Sequence, residues 1–168
     1  MMRRLIFTLL AAAVAVGCTV KYSLSGASIP PDAKTFSVAY FPNNAAMVTP
    51  MLSSTLTDAL VDKFSRSTRL TQVSEGGDFA FEGEIVGYTS ATASVSSNDY
   101  ALQNRLTITI RVRFTNLIDE KASFSNRTFS AYADYDSTKL LTEVESELIT
   151  QIVEQLVNDI FQAAAGNW

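Results

Sequence analysis

The sequence predicts an α+β domain: a mostly antiparallel sheet of four to five strands with two α-helices packed on one face. Three observations predict it. Residues 103–115 alternate apolar and polar side chains almost without interruption, the period of a strand with one buried face. Residues 50–67 and 142–165 instead place apolar side chains at helical spacing behind recognisable start signals. No repeat or internal linker divides the chain, so the elements are expected to share one core.

Taken in order, Phe36, Val38 and Tyr40 alternate within residues 35–41 and mark a first strand, which the turn residues Pro42-Asn43-Asn44 end. Thr49 is placed to be an N-cap with Pro50 at the first helical position. Leu52, Leu56, Ala59, Leu60 and Phe64 then carry a helix to about Ser67. A short second strand over residues 70–74 stops at Glu75-Gly76-Gly77-Asp78. Two strands around a helix suggest a βαβ unit.

Phe79, Phe81, Gly83 and Ile85 fall on one face of a third strand, with Glu82 and Glu84 on the other. After a polar loop at residues 90–99 comes the long fourth strand. Leu106, Ile108, Ile110, Val112 and Phe114 point one way; Arg105, Thr107, Thr109, Arg111 and Arg113 point the other. At about 3.3 Å per residue it spans roughly 40 Å. A hairpin symmetric about the loop sets Phe81 opposite Val112, Ile85 opposite Ile108 and Glu82 opposite Arg111. Residues 117–121 turn the chain into a fifth strand, 122–133. Its apolar parity shifts between Phe124 and Phe129, which predicts a bulge. The cluster Tyr132-Ala133-Asp134-Tyr135-Asp136 reads as a turn, and Thr142-Glu143-Val144-Glu145 as a capping box. Val144, Leu148, Ile152, Leu156, Ile160 and Ala163 form the stripe of the last helix, to about Ala165.

The N-terminus reads as an address. Met1-Met2-Arg3-Arg4 is a positive start and residues 5–16 an apolar run, too short for the roughly 20 residues of a membrane-spanning helix. Ala15-Val16-Gly17-Cys18 resembles the lipobox of bacterial lipoproteins, with Ala15 where Leu is usual. The alternative is an ordinary signal peptide followed by an incidental Cys, but the chain holds no other thiol. The resemblance implies that residues 1–17 are removed and that Cys18 becomes an acylated N-terminus anchored by several chains. Residues 18–34, with Gly26 and Pro30-Pro31, then form a tether to a single domain over residues 35–168. Thr19 and Val20 lack the acidic residue that retains many such lipoproteins in the inner membrane. The expected location is therefore the outer membrane, lipid-anchored and facing the periplasm.

Removing 17 of the 168 residues leaves 151, enough for one genuine core. It also removes two of 13 basic residues against 17 acidic ones, shifting the net charge from −4 to −6. Such a chain is poorly suited to nucleic acid, whose phosphates require a clustered positive field. The absence of His removes Ser-His-Asp and Cys-His catalysis and every His-containing zinc site. A single Cys removes an intrachain disulfide framework. No cofactor is implied.

Several residues still invite a chemical reading. Glu82 and Glu84 share a strand face as glycosidase carboxylates do, but pairing with facing arginines explains them better. Asp134 and Asp136 carry oxygens suited to calcium without the regular ligand series of a calcium loop. Asn126-Arg127-Thr128 matches an N-glycosylation sequon, and Asp136-Ser137-Thr138 resembles an O-glycosylation sequence used in the Bacteroidota. The stripe Arg105, Arg111 and Arg113, extended by Arg127 on the next strand, is the main basic concentration. It is either a solvated, ion-paired face or a contact for an anionic ligand. If Glu82 neutralises Arg111, then Arg105 and Arg113 remain the freer pair.

Five pieces in order resemble the lipopolysaccharide-assembly lipoprotein family LptE in its Bacteroidota form. They are Gly26-Ala27-Ser28-Ile29-Pro30-Pro31, Phe41-Pro42-Asn43-Asn44, Phe81-Glu82-Gly83-Glu84-Ile85, Gln103-Asn104-Arg105-Leu106-Thr107 and Tyr132-Ala133-Asp134-Tyr135. The resemblance implies a non-catalytic outer-membrane lipoprotein. It would act as plug and assembly partner of a large β-barrel, LptD, and contact lipopolysaccharide. A second class is a periplasmic auxiliary lipoprotein of a lipid-transport ABC system, which shares the small α+β architecture and the anchor.

Overall fold

The computed structural model describes residues 29–47, 49–93 and 102–166. The expected signal, Cys18, the tether as far as residue 28, the tip of the central hairpin and Trp168 lie outside the described residues.

Strand β1 (Thr35–Val38) leads to helix α1 (Pro50–Ser67) and the short β2 (Thr71–Gln72). Strands β3 (Phe79–Thr92) and β4 (Gln103–Asn116) follow, then β5 (Phe124–Asp136) and helix α2 (Leu141–Ala165). The sheet order is β2-β1-β3-β4-β5. β1 pairs parallel with both β2 and β3, while β3, β4 and β5 form an antiparallel meander. The sheet is thus mixed, and the βαβ unit read from the sequence is its parallel part.

Both helices cover one face. Leu52, Leu56, Leu60 and Phe64 of α1 are buried, as expected from their spacing. On α2 the buried stripe is wider than expected and adds Ile149, Val153, Val157 and Phe161. Phe64 is the meeting point: its ring lies 4.6 Å from Phe81, 5.1 Å from Phe161 and 5.8 Å from Phe36, centroid to centroid. One aromatic side chain from each helix and one from each of two strands thus meet in a single cluster. Such rings bury large apolar areas and pair favourably at these separations.

Thr49 and Pro50 start α1 as the sequence predicts, with the Leu52 amide donating to the Thr49 carbonyl at 3.3 Å. The start of α2 lies two residues before the expected capping box, with Leu140 and not Thr142 at the cap. Glu143, not Glu145, reaches back to accept from the Leu140 amide at 3.1 Å. That leaves Glu145 free to accept a short hydrogen bond from the Tyr88 hydroxyl.

The hairpin register also corrects the expectation. Phe81 faces Phe114, Glu82 faces Arg113, Glu84 faces Arg111 and Ile85 faces Ile110. The expected pairs were displaced by two residues, a shift that keeps every side chain on its correct face and so leaves no trace in the alternation. β3 also carries a bulge between Ile85 and Gly87, which turns Tyr88 into the core opposite Ile108.

The bulge expected in β5 is present. Val112 pairs with Arg127 and Phe114 with Phe124, so β5 has one residue more than β4 in this interval. Asn126 takes it up with φ +55°, a left-handed conformation that Asn tolerates better than most residues. β5 runs on to Asp136, through the cluster read as a turn, because Ala133 and Tyr135 continue the buried alternation.

Candidate functional site

The face of the sheet opposite the helices carries a ladder of charge pairs. Arg111 Nη1 lies 2.8 Å from Glu84 Oε1, and Arg113 Nη1 is 3.8 Å from Glu82 Oε2. Across the other side of β4, Arg105 grips Asp134 through two parallel hydrogen bonds, and its guanidinium lies 3.7 Å from the centroid of Tyr132. Asp134 holds Arg105 in its charged form, and the hydrogen bond from Arg105 lowers the Asp134 carboxyl below its usual range. Threonines and a serine fill the rows between, as in the Thr109–Ser130 hydroxyl contact at 3.0 Å.

The sequence placed Arg105, Arg111 and Arg113 on one face, and they are there. It mistook the partners. Arg105 is the most committed of the three, Arg111 belongs to Glu84, and Arg113 makes the loosest pair with both side chains about 60% exposed. Glu82, Glu84, Arg111 and Arg113 border an open cleft of about 310 Å³. Glu84 also accepts from Asn44 Nδ2 at 2.7 Å. These carboxylates are therefore ion-paired and solvated, not held in the dry surroundings that tune a catalytic acid.

The motif Phe41-Pro42-Asn43-Asn44 has a structural explanation that the sequence reading missed. It does not simply end β1. The Ile85 amide donates to the Pro42 carbonyl at 2.9 Å and the Asn44 amide to the Ile85 carbonyl at 2.8 Å, so the segment continues along β3. Gly83 leaves room for it: a Cβ there would lie 2.4 Å from Phe41 Cε1 and 2.5 Å from the Arg111 carbonyl oxygen.

Arg127 is not part of the arginine face. It pairs with Val112, whose side chain is in the core, and its guanidinium sits 5.3 Å and 5.2 Å from the rings of Phe124 and Phe129. The bulge at Asn126 sets it on the helix side. There it borders a cavity of about 640 Å³ with Lys121, Phe124, Ile29 and Ala163. No carboxylate among the described residues lies within ion-pair distance of Arg127 or Lys121. The signal that could have separated Arg127 from the stripe was the predicted bulge, which reverses side-chain parity along β5.

This cavity lies at the end of the domain where the chain enters. Arg69 Nη2 donates to the Pro30 carbonyl at 2.6 Å. The Asp78 carboxylate accepts from the Lys34 amide at 2.8 Å, from the Thr35 amide at 2.9 Å and from the Thr35 hydroxyl at 3.0 Å. Those bonds, the Lys34 amide foremost, lower its carboxyl below the ordinary value. Residues 29–34, expected as tether, are thus fastened to the domain, with Ala33 fully buried. Asp136 has a local role, accepting from the Thr138 amide and hydroxyl at 2.8 and 2.7 Å. Among the described residues no acidic cluster suited to a metal is present, and no helix is long and apolar enough to cross a membrane.

Solved structures share the fold at low sequence identity. The hypothetical protein CT253 from Chlamydia trachomatis is 8% identical with TM-score 0.53, over 80% of this chain and 99% of that one. A putative neuraminyllactose-binding hemagglutinin homolog from Helicobacter pylori is 10% identical with TM-score 0.51, over 86% and 92% of the two chains. Protein XCC0632 from Xanthomonas campestris is 12% identical with TM-score 0.50, over 80% and 87%. At these identities the likeness shows the fold alone. No curated protein matches the sequence. Residues 33–164, nearly the whole described domain, match the family model for lipopolysaccharide assembly. The chain belongs to the LptE family, and its role lies in lipopolysaccharide assembly within the cell envelope.

Proposed function

We propose that this protein is the lipid-anchored, non-catalytic partner and plug of an LptD-like outer-membrane β-barrel that inserts lipopolysaccharide at the cell surface. The observation that carries the reading is the family match across residues 33–164. The domain's shape fits it: one face closed by helices, the other an open polar sheet. A plug within an aqueous barrel needs such a wettable, hydrogen-bonding surface, and the Arg–carboxylate ladder with its Thr and Ser rows supplies one. On this reading residues 1–17 are a signal and Cys18 is acylated. The residues between Cys18 and Ile29 link the anchor, in the periplasmic leaflet of the outer membrane, to the domain.

Lipopolysaccharide phosphates are best met by cations not already held by carboxylates. Of the four candidate arginines, Arg113 and Arg127 are least committed, Arg111 is intermediate and Arg105 is engaged on three sides. Affinity purification from detergent-extracted outer membrane should recover a large barrel in stoichiometric amount. Recovery of the protein without a barrel sinks the partner reading. Charge reversal of Arg113 and Arg127 together should weaken lipopolysaccharide binding in a salt-sensitive way and leave the barrel bound. Wild-type binding by that double variant at low salt removes these arginines from the contact.

A further inference from the structure

The turn between β4 and β5 presents two adjacent aliphatic side chains to solvent, Leu117 at 60% and Ile118 at 40% exposure. Scattered single exposures need no explanation. Here, however, the turn is rigid. Asn116, itself only 2% exposed, accepts from the Ile118 and Asp119 amides through Oδ1 at 2.9 and 3.0 Å, and its own amide donates to Ser123 Oγ at 2.9 Å. Asp119 in turn accepts from the Lys121 amide at 3.1 Å. The backbone therefore holds Leu117 and Ile118 outward and offers them no route to the core.

The second observation is position. The Leu117 amide donates to the Asp78 carbonyl at 2.9 Å, and the Asp78 carboxylate holds the Lys34 and Thr35 amides. Turn and chain entry are thus fastened to one residue, at one end of the sheet. Ile29 is eleven residues from Cys18, and an eleven-residue chain reaches at most about 36–40 Å. If Cys18 is acylated, this end of the domain stays within about 40 Å of the bilayer. Within that reach even a weak apolar contact becomes populated by effective concentration.

We propose that residues 117–121 form a membrane-contacting turn, with Leu117 and Ile118 entering the interfacial zone of the leaflet that holds the anchor. The inference rests on acylation of Cys18. The neighbouring Asp119 and Glu120, together with the acidic balance of the chain, specify the surface: a zwitterionic lipid face, since an anionic one would repel them. Lys121 stands beside the aliphatic pair with no carboxylate partner among the described residues, available to a lipid phosphate.

The test uses the chain produced from its full sequence in the cell envelope, purified and reconstituted with vesicles whose lipids carry a bromine quencher in the acyl region. Trp168→Phe supplies a background into which Leu117→Trp is introduced. Tyr40→Trp, exposed at the opposite end of β1, is the control. In phosphatidylcholine vesicles the tryptophan at 117 should lose most of its emission and shift to the blue while the one at 40 does neither. Replacing part of the lipid by phosphatidylglycerol should weaken the quenching. Vesicle-bound protein with no quenching at 117, or equal quenching at both positions, overturns the contact and leaves the anchor standing. Protein that fails to float with vesicles overturns acylation and the contact together. A tryptophan at 117 untouched by lipid but shielded from iodide on adding the barrel assigns the turn to a protein partner instead.

Discussion

Arg105 and Asp134 face each other across β4 and β5 with Nε to Oδ1 at 2.7 Å and Nη2 to Oδ2 at 2.9 Å, while Tyr132 floors the guanidinium. The geometry uses the fork of the guanidinium fully, which is why this arginine has little left for a ligand. Because Arg105 depresses the Asp134 carboxyl, that carboxylate contributes stability above the ordinary aspartate value of 3.8 and loses it as pH falls through the lowered one. Arg105→Ala should return the Asp134 titration, followed by NMR, toward 3.8. A titration unmoved by the substitution would show that the pair is not formed in solution.

Phe64→Ala should be the most damaging single truncation in α1. The ring touches both helices' cores and two strands, and loss of a fully buried Phe costs about 3–5 kcal/mol. Urea denaturation reads it directly. A loss below about 1 kcal/mol would mean that the cluster repacks around the gap.

Gly83→Val tests the close approach of the Phe41 segment to β3. With no room for a Cβ between Phe41 and the Arg111 carbonyl, overpacking should cost about 1–3 kcal/mol or more. Gly87→Ala, whose nearest contact would be Thr109 Cβ at 3.1 Å, should cost less. Equal melting temperatures for the two variants would contradict this ordering.

Much of this fold was legible because its elements follow strict periods. β4 announced both its length and its two faces, and α1 and α2 announced theirs through stripe and start signal. The strand register was not legible. Any even displacement of the β3–β4 hairpin preserves the alternation, so Glu82–Arg111 and Glu82–Arg113 look the same from the sequence. The end of β5 was not legible, because Asp134 and Asp136 are turn-type residues and only the cross-strand Arg105 opposite Asp134 makes them part of a strand. Arg127 shares the parity of Phe129, Ala131 and Ala133, so the bulge that precedes it puts it on the core face and away from the stripe. The Asp78 clamp and the Pro42–Ile85 ladder join residues more than 40 apart in the chain and leave no local signature.

Tyr88 offers a pH test at the alkaline end. Burial first, and then the hydrogen bond to Glu145, push its hydroxyl well above the ordinary 10.0. A tyrosine with a raised value contributes stability below pH 10 and loses it as pH climbs toward the raised value. Ultraviolet titration should show one tyrosine ionising last, with alkaline unfolding. Tyr88→Phe should abolish that late step. Its persistence in the variant assigns it to another tyrosine.

Asp78→Asn should loosen the entry of the chain without disturbing the helices. All three donors from Lys34 and Thr35 meet on Oδ2, so the substitution leaves them an amide oxygen, a weaker acceptor, and removes the charge. Hydrogen exchange at those two amides should accelerate, and the acid sensitivity below pH 3.8 should diminish because the lowered carboxyl is gone. Unchanged protection of both amides would show that the β1–β2 and β1–β3 ladders alone hold the strand.

The position of β1 between β2 and β3 has a mechanical consequence. The strand nearest the chain entry lies inside the sheet, and it runs away from the entry with parallel neighbours on both sides. Once the turn closed by the Ala33 amide on the Pro30 carbonyl has opened, tension passing through Lys34 would act along β1. The rungs on both flanks would then be strained in shear, together, instead of peeling one after another as they would at a free margin. A domain tugged from that end should yield at a high force and all at once, and one tugged from the α2 end should surrender its last helix first.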